Sequence, residues 1–381
     1  LGDGEVLTAH VDYRDYLYHG QVDYKIAREK LKSNPKISWI GYVMGGAMVL
    51  QKEKGIDFRG ATFEIESQVP LGKGVSSSAS IEVACLKAFC ETFGITLMGT
   101  ELPILAQRIE NCIVGAPCGL MDQLACYFGE ADKLLPILCQ PDQVDKPIAI
   151  PSDIRFFGID SGIRHSVAGA SYSEVRAAAF MGYSIILQSM GVSVETIIKA
   201  TSKKDFASLP FGGYLCNIPL HQFESSFLKI LPVTLSGKDF LAEYKISIDD
   251  ATQVDPKREY PVKPGTTHPV YEHDRVTEFK NLLEQVKAPT QMNERKSLLK
   301  RMGELMYQSH ISYSACGLGS ERTDEIVELS KAISGIYGAK ITGGGNGGTV
   351  CLLADHQATT EVKAFHQRLC DKYQQDLILF S

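Results

Sequence analysis

The spacing of apolar positions changes character several times along the chain, and each change predicts an element. Residues 24–32 have helical spacing and stop ahead of Pro35. Residues 39–51 carry a dense apolar face (Ile40, Val43, Met44, Met48, Val49) around Gly45 and Gly46, which predicts a buried helix. From 62 to 69 the period shortens to two. Phe63, Ile65 and Val69 alternate with Glu64, Glu66 and Gln68, the pattern of a half-buried strand. Helical spacing returns over 80–93 with Ile81, Ala84, Cys85, Ala88 and Phe89, closed by Gly94. Two more helices are predicted over 101–114 and 120–128, separated by the tight turn Gly-Ala-Pro-Cys-Gly at 115–119. Segments 134–139 and 146–150 read as paired strands.

Further on, 154–160 is an apolar strand followed by the polar loop 161–166. Helices are predicted over 172–190, 274–286, 294–314 and 322–334. The stretch 248–269 is rich in Pro, Asp, Lys and Thr and predicts an extended surface loop. A glycine run at 343–348 and a strand at 349–354 close the pattern, whereas 1–20 is irregular. Strands and helices mix without a strict βαβ beat, so the fold class is α+β. The boundary falls near Ser152, giving domains 1–152 and 153–381.

Composition narrows the function classes. The chain has 381 residues, of which 44% are hydrophobic, enough for one large or two medium cores. A net charge of −6 gives no nucleic-acid footprint. The longest uncharged apolar stretch, 37–51, is shorter than the roughly 20 residues of a membrane span. The expectation is therefore a cytoplasmic protein with neither a nucleic-acid nor a membrane partner, its oligomeric state open. Ten cysteines are scattered with no Cys-x-x-Cys pair, which favours reduced buried thiols over a zinc site.

Candidate chemistry centres on 70–79, Pro-Leu-Gly-Lys-Gly-Val-Ser-Ser-Ser-Ala, which joins the predicted strand to the start of a helix. Gly72 and Gly74 let backbone approach a ligand closely. Ser76, Ser77 and Ser78 offer hydroxyls, and the first helical turn presents unpaired N–H groups. These are the parts of a phosphate cradle, although neither the P-loop nor the dinucleotide fingerprint is matched: Lys73 sits between the glycines and Ser77 replaces a third one. A plain glycine turn before a serine-rich helix start explains the residues equally well.

Glu110, near the end of an apolar helical face, and Asp122, in the first turn of the next helix, are brought back on each other by the intervening turn. One carboxylate with a serine hydroxyl suits Mg2+, and a second can orient or accept the proton of an attacking hydroxyl. Helix capping by Asp122 and simple solvation of Glu110 are the alternatives. Arg164 and His165 could meet a phosphate or a sugar, or only their own loop. Five glycines in the six residues 343–348 cost roughly 0.5–1 kcal/mol each on ordering relative to alanine, which favours a close backbone approach over a loose hairpin.

Together these motifs resemble those of the GHMP small-molecule kinases. The stretch 70–79 resembles the family's second signature, and 340–348, Lys-Ile-Thr-Gly-Gly-Gly-Asn-Gly-Gly, its third. Cys-Gly-Leu-Met-Asp-Gln at 118–123 and Ile-Arg-His-Ser at 163–166 are similar to the galactokinase branch. The blocks 110–123, 158–167, 214–217 and 312–320 are similar to its L-arabinokinase members.

The resemblance spans about 39–353 and implies a two-domain fold: an N-terminal domain with a left-handed βαβ unit and a ferredoxin-like C-terminal domain. It implies an ATP- and Mg2+-dependent sugar 1-kinase acting on L-arabinose, with galactose, or a catalytically silent sugar or nucleotide sensor, as alternatives. ATP phosphates would lie over Gly72, Lys73, Gly74, Val75, Ser76, Ser77 and Ser78. Ser77 and Glu110 would hold the metal, Asp122 would be the catalytic carboxylate, and Gly119, Asp122, Tyr260, Gly344 and Gly345 would border the sugar. The family's first signature, an Arg-bearing strand ending in Asp-Tyr, is not matched by Asp12-Tyr13 or Asp15-Tyr16, so the chain is expected to lack the domain's first strands.

Overall fold

The computed structural model describes residues 8–58, 60–116, 118–140, 142–164, 170–203, 205–249, 252–288 and 291–381. It contains two compact units, one formed by 1–71 with 76–149 and the other by 72–75 with 150–381.

The first unit is a helical cluster: α1 (Tyr24–Ser33), α2 (Ile40–Lys54), α3 (Ser77–Phe93), α4 (Glu101–Arg108) and α5 (Met121–Phe128). Helix α2 is buried through Leu50 and ends on Gly55 in the left-handed region, the usual glycine stop. Its glycine pair has a steric cause. A Cβ on Gly45 would lie 2.4 Å from Ile109 Cγ2, and one on Gly46 3.2 Å from the Phe89 ring. The segment 109–114 beyond α4 is a π-helical turn, and Gly115 closes it with φ +82°.

Two sequence expectations change here and a third holds in part. No strand forms over 62–69, and Ile65 is 42% exposed. Among the described residues nothing lies alongside this segment as a second strand, and an unpaired strand leaves its amides to water. The pairing expected of 134–139 with 146–150 forms in part: Lys133–Leu134 pairs with Ile148–Ala149, whereas Ile137–Leu138 pairs with Gln143–Val144. All registered pairs are antiparallel, so the left-handed βαβ crossover, which needs parallel strands, is not formed among the described residues.

The second unit is built on a four-stranded sheet of β1 (Ile154–Asp160), β2 (Ile336–Ile341), β3 (Thr349–Asp355) and β4 (Leu379–Phe380). Its order, β4-β1-β3-β2 with every neighbour antiparallel, is the ferredoxin-like arrangement. Beyond the β4 ladder, the Asp160 amide donates to Ile378 O at 2.9 Å. The main helices are α6 (Ala170–Ser189), α7 (Val262–Lys287), α8 (Met292–Ala315), α9 (Glu321–Ser330) and α10 (Thr359–Tyr373). Helix α8 lies on β2 at backbone contact: a Cβ on Gly303 would fall 1.8 Å from Tyr337 O.

The expected surface loop 248–269 is instead helical from Val262 onward, although Pro264 and Pro269 lie within it. Pro264 falls in the first turn, where an N–H has no intrahelical partner. Burial of Val262, Gly265, Thr266 and Val270 outweighs the interior proline. Gly182 of α6 admits the Thr266 side chain, whose Oγ1 would stand 1.7 Å from an added Cβ.

Candidate active site

In the first unit the serine-rich stretch becomes the start of α3. Ser76 stands before it with φ +59°, ψ +41°, left-handed backbone that a β-carbon disfavours, and its side chain does not cap the helix. The first-turn N–H groups of α3 are thus not engaged by a side-chain cap.

The π-helical turn carries Glu110 inward, where it is 5% exposed. Gln123 of α5, fully buried, donates from Nε2 to Glu110 Oε2 at 3.0 Å and to Glu82 Oε2 of α3 at 3.2 Å. Burial pushes the Glu110 carboxyl above its ordinary range, and the Asp122 charge adds to this, while the hydroxyl of Ser78 and the Cys118 thiol oppose it. Glu82 is moved further, to about 10, by burial and then by the charge of Glu110. Its Oε1 and the Oε1 of Gln123 are buried without a partner among the described residues.

Asp122 is half-buried in the first turn of α5, makes no cap there, and acts electrostatically on both glutamates. Asp122 thus bears on Glu110 and Glu82 through its charge inside this unit, while Gln123 joins the two glutamates. The hydroxyl set against Glu110 belongs to Ser78, one residue beyond the Ser77 expected as a metal ligand. Gly119 is exposed and nothing would meet a Cβ there, so no packing constraint requires glycine.

No group of three or more His, Cys, Asp or Glu side chains able to hold a metal forms among the described residues. That does not conflict with Mg2+, which is commonly held by one or two carboxylates and otherwise keeps water or phosphate oxygens. A buried carboxylate raised by desolvation, with a hydroxyl and a second carboxylate beside it, fits such a cation.

In the second unit the loop 72–75 is tied to the sheet. Lys73 Nζ pairs with Asp160 Oδ2 at 2.6 Å, and Thr349 Oγ1 donates to Lys73 O at 2.8 Å. A Cβ on Gly74 would lie 3.2 Å from Gly348 Cα, and one on Gly72 3.0 Å from Arg164 Cγ. Arg164 therefore lies along the loop; His165 is outside the described residues. The glycine run has the expected close approaches. Gly345, φ +82°, leaves no room for a Cβ, which would fall 2.4 Å from Leu318 O and 3.0 Å from Tyr313 Cε1. Gly344 beside it is half-buried.

Tyr260 does not border a substrate. It is 2% exposed in the hydrophobic core of the second unit, and its hydroxyl accepts from the Asp255 amide at 2.8 Å. The tyrosine at the glycine run is Tyr313, whose hydroxyl donates to Gly343 O at 2.8 Å. Sequence reading missed it, although Tyr313 lies inside the block 312–320 that carried the resemblance.

The profile of the GHMP kinases N terminal domain matches residues 41–130, and that of GHMP kinases C terminal matches 295–372. L-arabinokinase of Arabidopsis thaliana is 40% identical across 91% of this chain and 35% of its own length, so the chain spans about a third of that relative. Galactokinase of Chloroflexus aurantiacus is 30% identical across 91% of this chain and 73% of its own. The crystal structure of Lactococcus lactis galactokinase complexed with galactose superposes with a TM-score of 0.63 at 20% identity, covering 90% of this chain and 74% of that one, which shows the fold. Profile matches on both units and a relative covered over most of its length place the chain in the GHMP kinase family, in its galactokinase branch.

Proposed function

We propose that this chain carries an ATP-dependent sugar 1-kinase activity, transferring the γ-phosphoryl group to the anomeric hydroxyl of a monosaccharide, with L-arabinose ahead of galactose. The observation that supports the proposal is that the Asp122 charge raises the buried Glu110 carboxyl, in the unit whose helix α3 starts without a side-chain cap. The preference for arabinose rests on the higher identity to L-arabinokinase, 40% against 30% for galactokinase.

Phosphoryl transfer asks a protein mainly for positioning and charge. Asp122 has the reach of a half-exposed carboxylate and orients or accepts the proton of the sugar hydroxyl. Glu110, held by Gln123, would hold Mg2+ together with a serine hydroxyl, Ser78 by its hydrogen bond or Ser77 by the family pattern. Bound there, the metal would offset the negative charge of the phosphate groups. The backbone of Gly72, Gly74 and Val75 and the first turn of α3 at Ser76 to Ser78 supply N–H donors for phosphate oxygens. By the family pattern Gly344 and Gly345 would border the sugar; within the second unit Tyr313 donates to Gly343 O beside them.

A coupled ADP-release assay with L-arabinose and galactose tests this directly. The purified chain should turn over ATP only with sugar and Mg2+ present. Asp122→Asn should lower kcat by at least about a hundredfold with little change in ATP affinity, the scale of losing a positioned base. Tight ATP binding without turnover of any sugar would favour the sensing reading. Wild-type turnover in Asp122→Asn would remove Asp122 from the mechanism.

A further inference from the structure

A lysine between two glycines of a phosphate loop invites assignment as a phosphate ligand. The second unit gives its ammonium another partner. Asp160 is the last residue of β1 and is completely buried, with both carboxylate oxygens engaged: Oδ2 by Lys73 Nζ at 2.6 Å and Oδ1 by the Gly162 amide at 3.0 Å. Lys73 is 29% exposed, so its charge sits at the rim while the acid sits inside.

The same four residues are held at two more points. Thr349 Oγ1, from the first residue of β3, donates to Lys73 O. The bare Cα of Gly74 abuts Gly348, itself fixed by bonds from Ser161 N to Gly348 O at 2.8 Å and from Gly348 N to Ile163 O at 2.9 Å. Both middle sheet strands therefore end on this loop, one through a charge pair and one through backbone.

We propose that Lys73 is a positioning residue, latching the loop 72–75 to Asp160 so that its glycine backbone is presented in one conformation, and that its ammonium makes no contact with phosphate. The physical ground is asymmetry of burial. If Lys73 left for an exposed phosphate oxygen it would gain a solvent-screened contact and strand a fully buried carboxylate, and the second effect is the larger. Loop order and ion pair are thus one unit: removing either charge damages both, whereas removing both together restores the loop in part.

A double-mutant cycle reads this. Lys73→Met, Asp160→Asn and the pair are compared with wild type by thermal unfolding without nucleotide and by ATP titration calorimetry. The latch predicts that each single change lowers Tm by several degrees and weakens ATP binding about tenfold or more. The double variant should recover part of both losses, and Lys73→Arg, which keeps the pair, should stay near wild type. Should Asp160→Asn fail to fold alone, recovery of folding in the double variant counts for the latch and its absence against it. Additive Tm effects overturn the proposal. So does weaker ATP binding in Lys73→Met at unchanged Tm with no rescue by Asp160→Asn, the signature of a direct phosphate contact. The nucleotide arm rests on the kinase reading; if the wild type binds no ATP, that reading fails while the Tm cycle still decides the latch.

Discussion

Glu82 shows how a single side chain can be missed by pattern and found by packing. Helical spacing assigned the inner face of α3 to Ile81, Ala84, Cys85, Ala88 and Phe89. The buried face is rotated by about one position and consists of Ala79, Glu82, Val83, Cys85, Leu86, Phe89 and Cys90. A carboxylate at 82 reads as solvent-facing to any rule that sorts residues by polarity. Among the described residues the amide of Gln123, shared between Glu82 and Glu110, is what makes its burial tolerable. Its raised pKa sets a sign. From about 4.5, the ordinary value, up to about 10, the unfolded chain has released a proton that the folded chain retains, so stability falls as pH rises through that window. Glu82→Gln removes this titration. Urea midpoints of the variant should gain on wild type steadily between pH 5 and 9; parallel curves would show Glu82 ionised in the folded state. Glu110 and Asp122, by contrast, stood out as candidates because the sharp turn between two helical patterns is visible in the letters.

At the level of elements, close approach explains what was read correctly and what was not. The helix over residues 294–314 was legible from its apolar spacing, but its contact with β2 was not, because it depends on the missing side chain of Gly303. Gly303→Ala sets a methyl group against the backbone of Tyr337, which cannot swing aside as a side-chain tip can. A loss of about 3 kcal/mol is expected in denaturant unfolding, the upper end for overpacking. The strand expected over 62–69 failed for the opposite reason: alternation records which face would be buried but not whether a neighbour exists to bond with.

Between α7, α8 and β2 lies a charged cluster that no periodicity could reveal. Glu272 accepts from Arg275 Nε at 2.7 Å and from Lys340 Nζ at 3.2 Å, and Ser309 donates to it as well. Burial opposes ionisation of Glu272, but Lys340, Ser309, His268 and Arg275 outweigh it and bring the carboxyl down to about 2. The stability this pairing gives is present above about pH 4.5 and is lost as pH falls towards 2. Glu272→Gln should cost roughly 3 kcal/mol at neutral pH by leaving two cations unneutralised, and should flatten the acid limb of the Tm profile. An unaltered acid limb would mean that the cluster is hydrated and weak.

Across the whole chain, a boundary was expected near 152, and the contacts divide the chain at 149–150. What the letters could not show is that residues 72–75 belong with the second unit although the chain on both sides belongs with the first. That membership is made by side chains 87 and 276 positions away, Asp160 and Thr349, which no local window contains. The ferredoxin-like strand order was equally invisible to local spacing and entered only through the family's motifs.

That strand order has a consequence for anyone altering residues 378–381. β4, only Leu379 and Phe380, zips onto β1 immediately before the acid that grips Lys73, and Ile378 O takes the amide of that acid itself. Trimming three or four residues there, or forcing an affinity tag through them, would unhem the border of the sheet and slacken the anchor of a loop encoded some three hundred positions earlier.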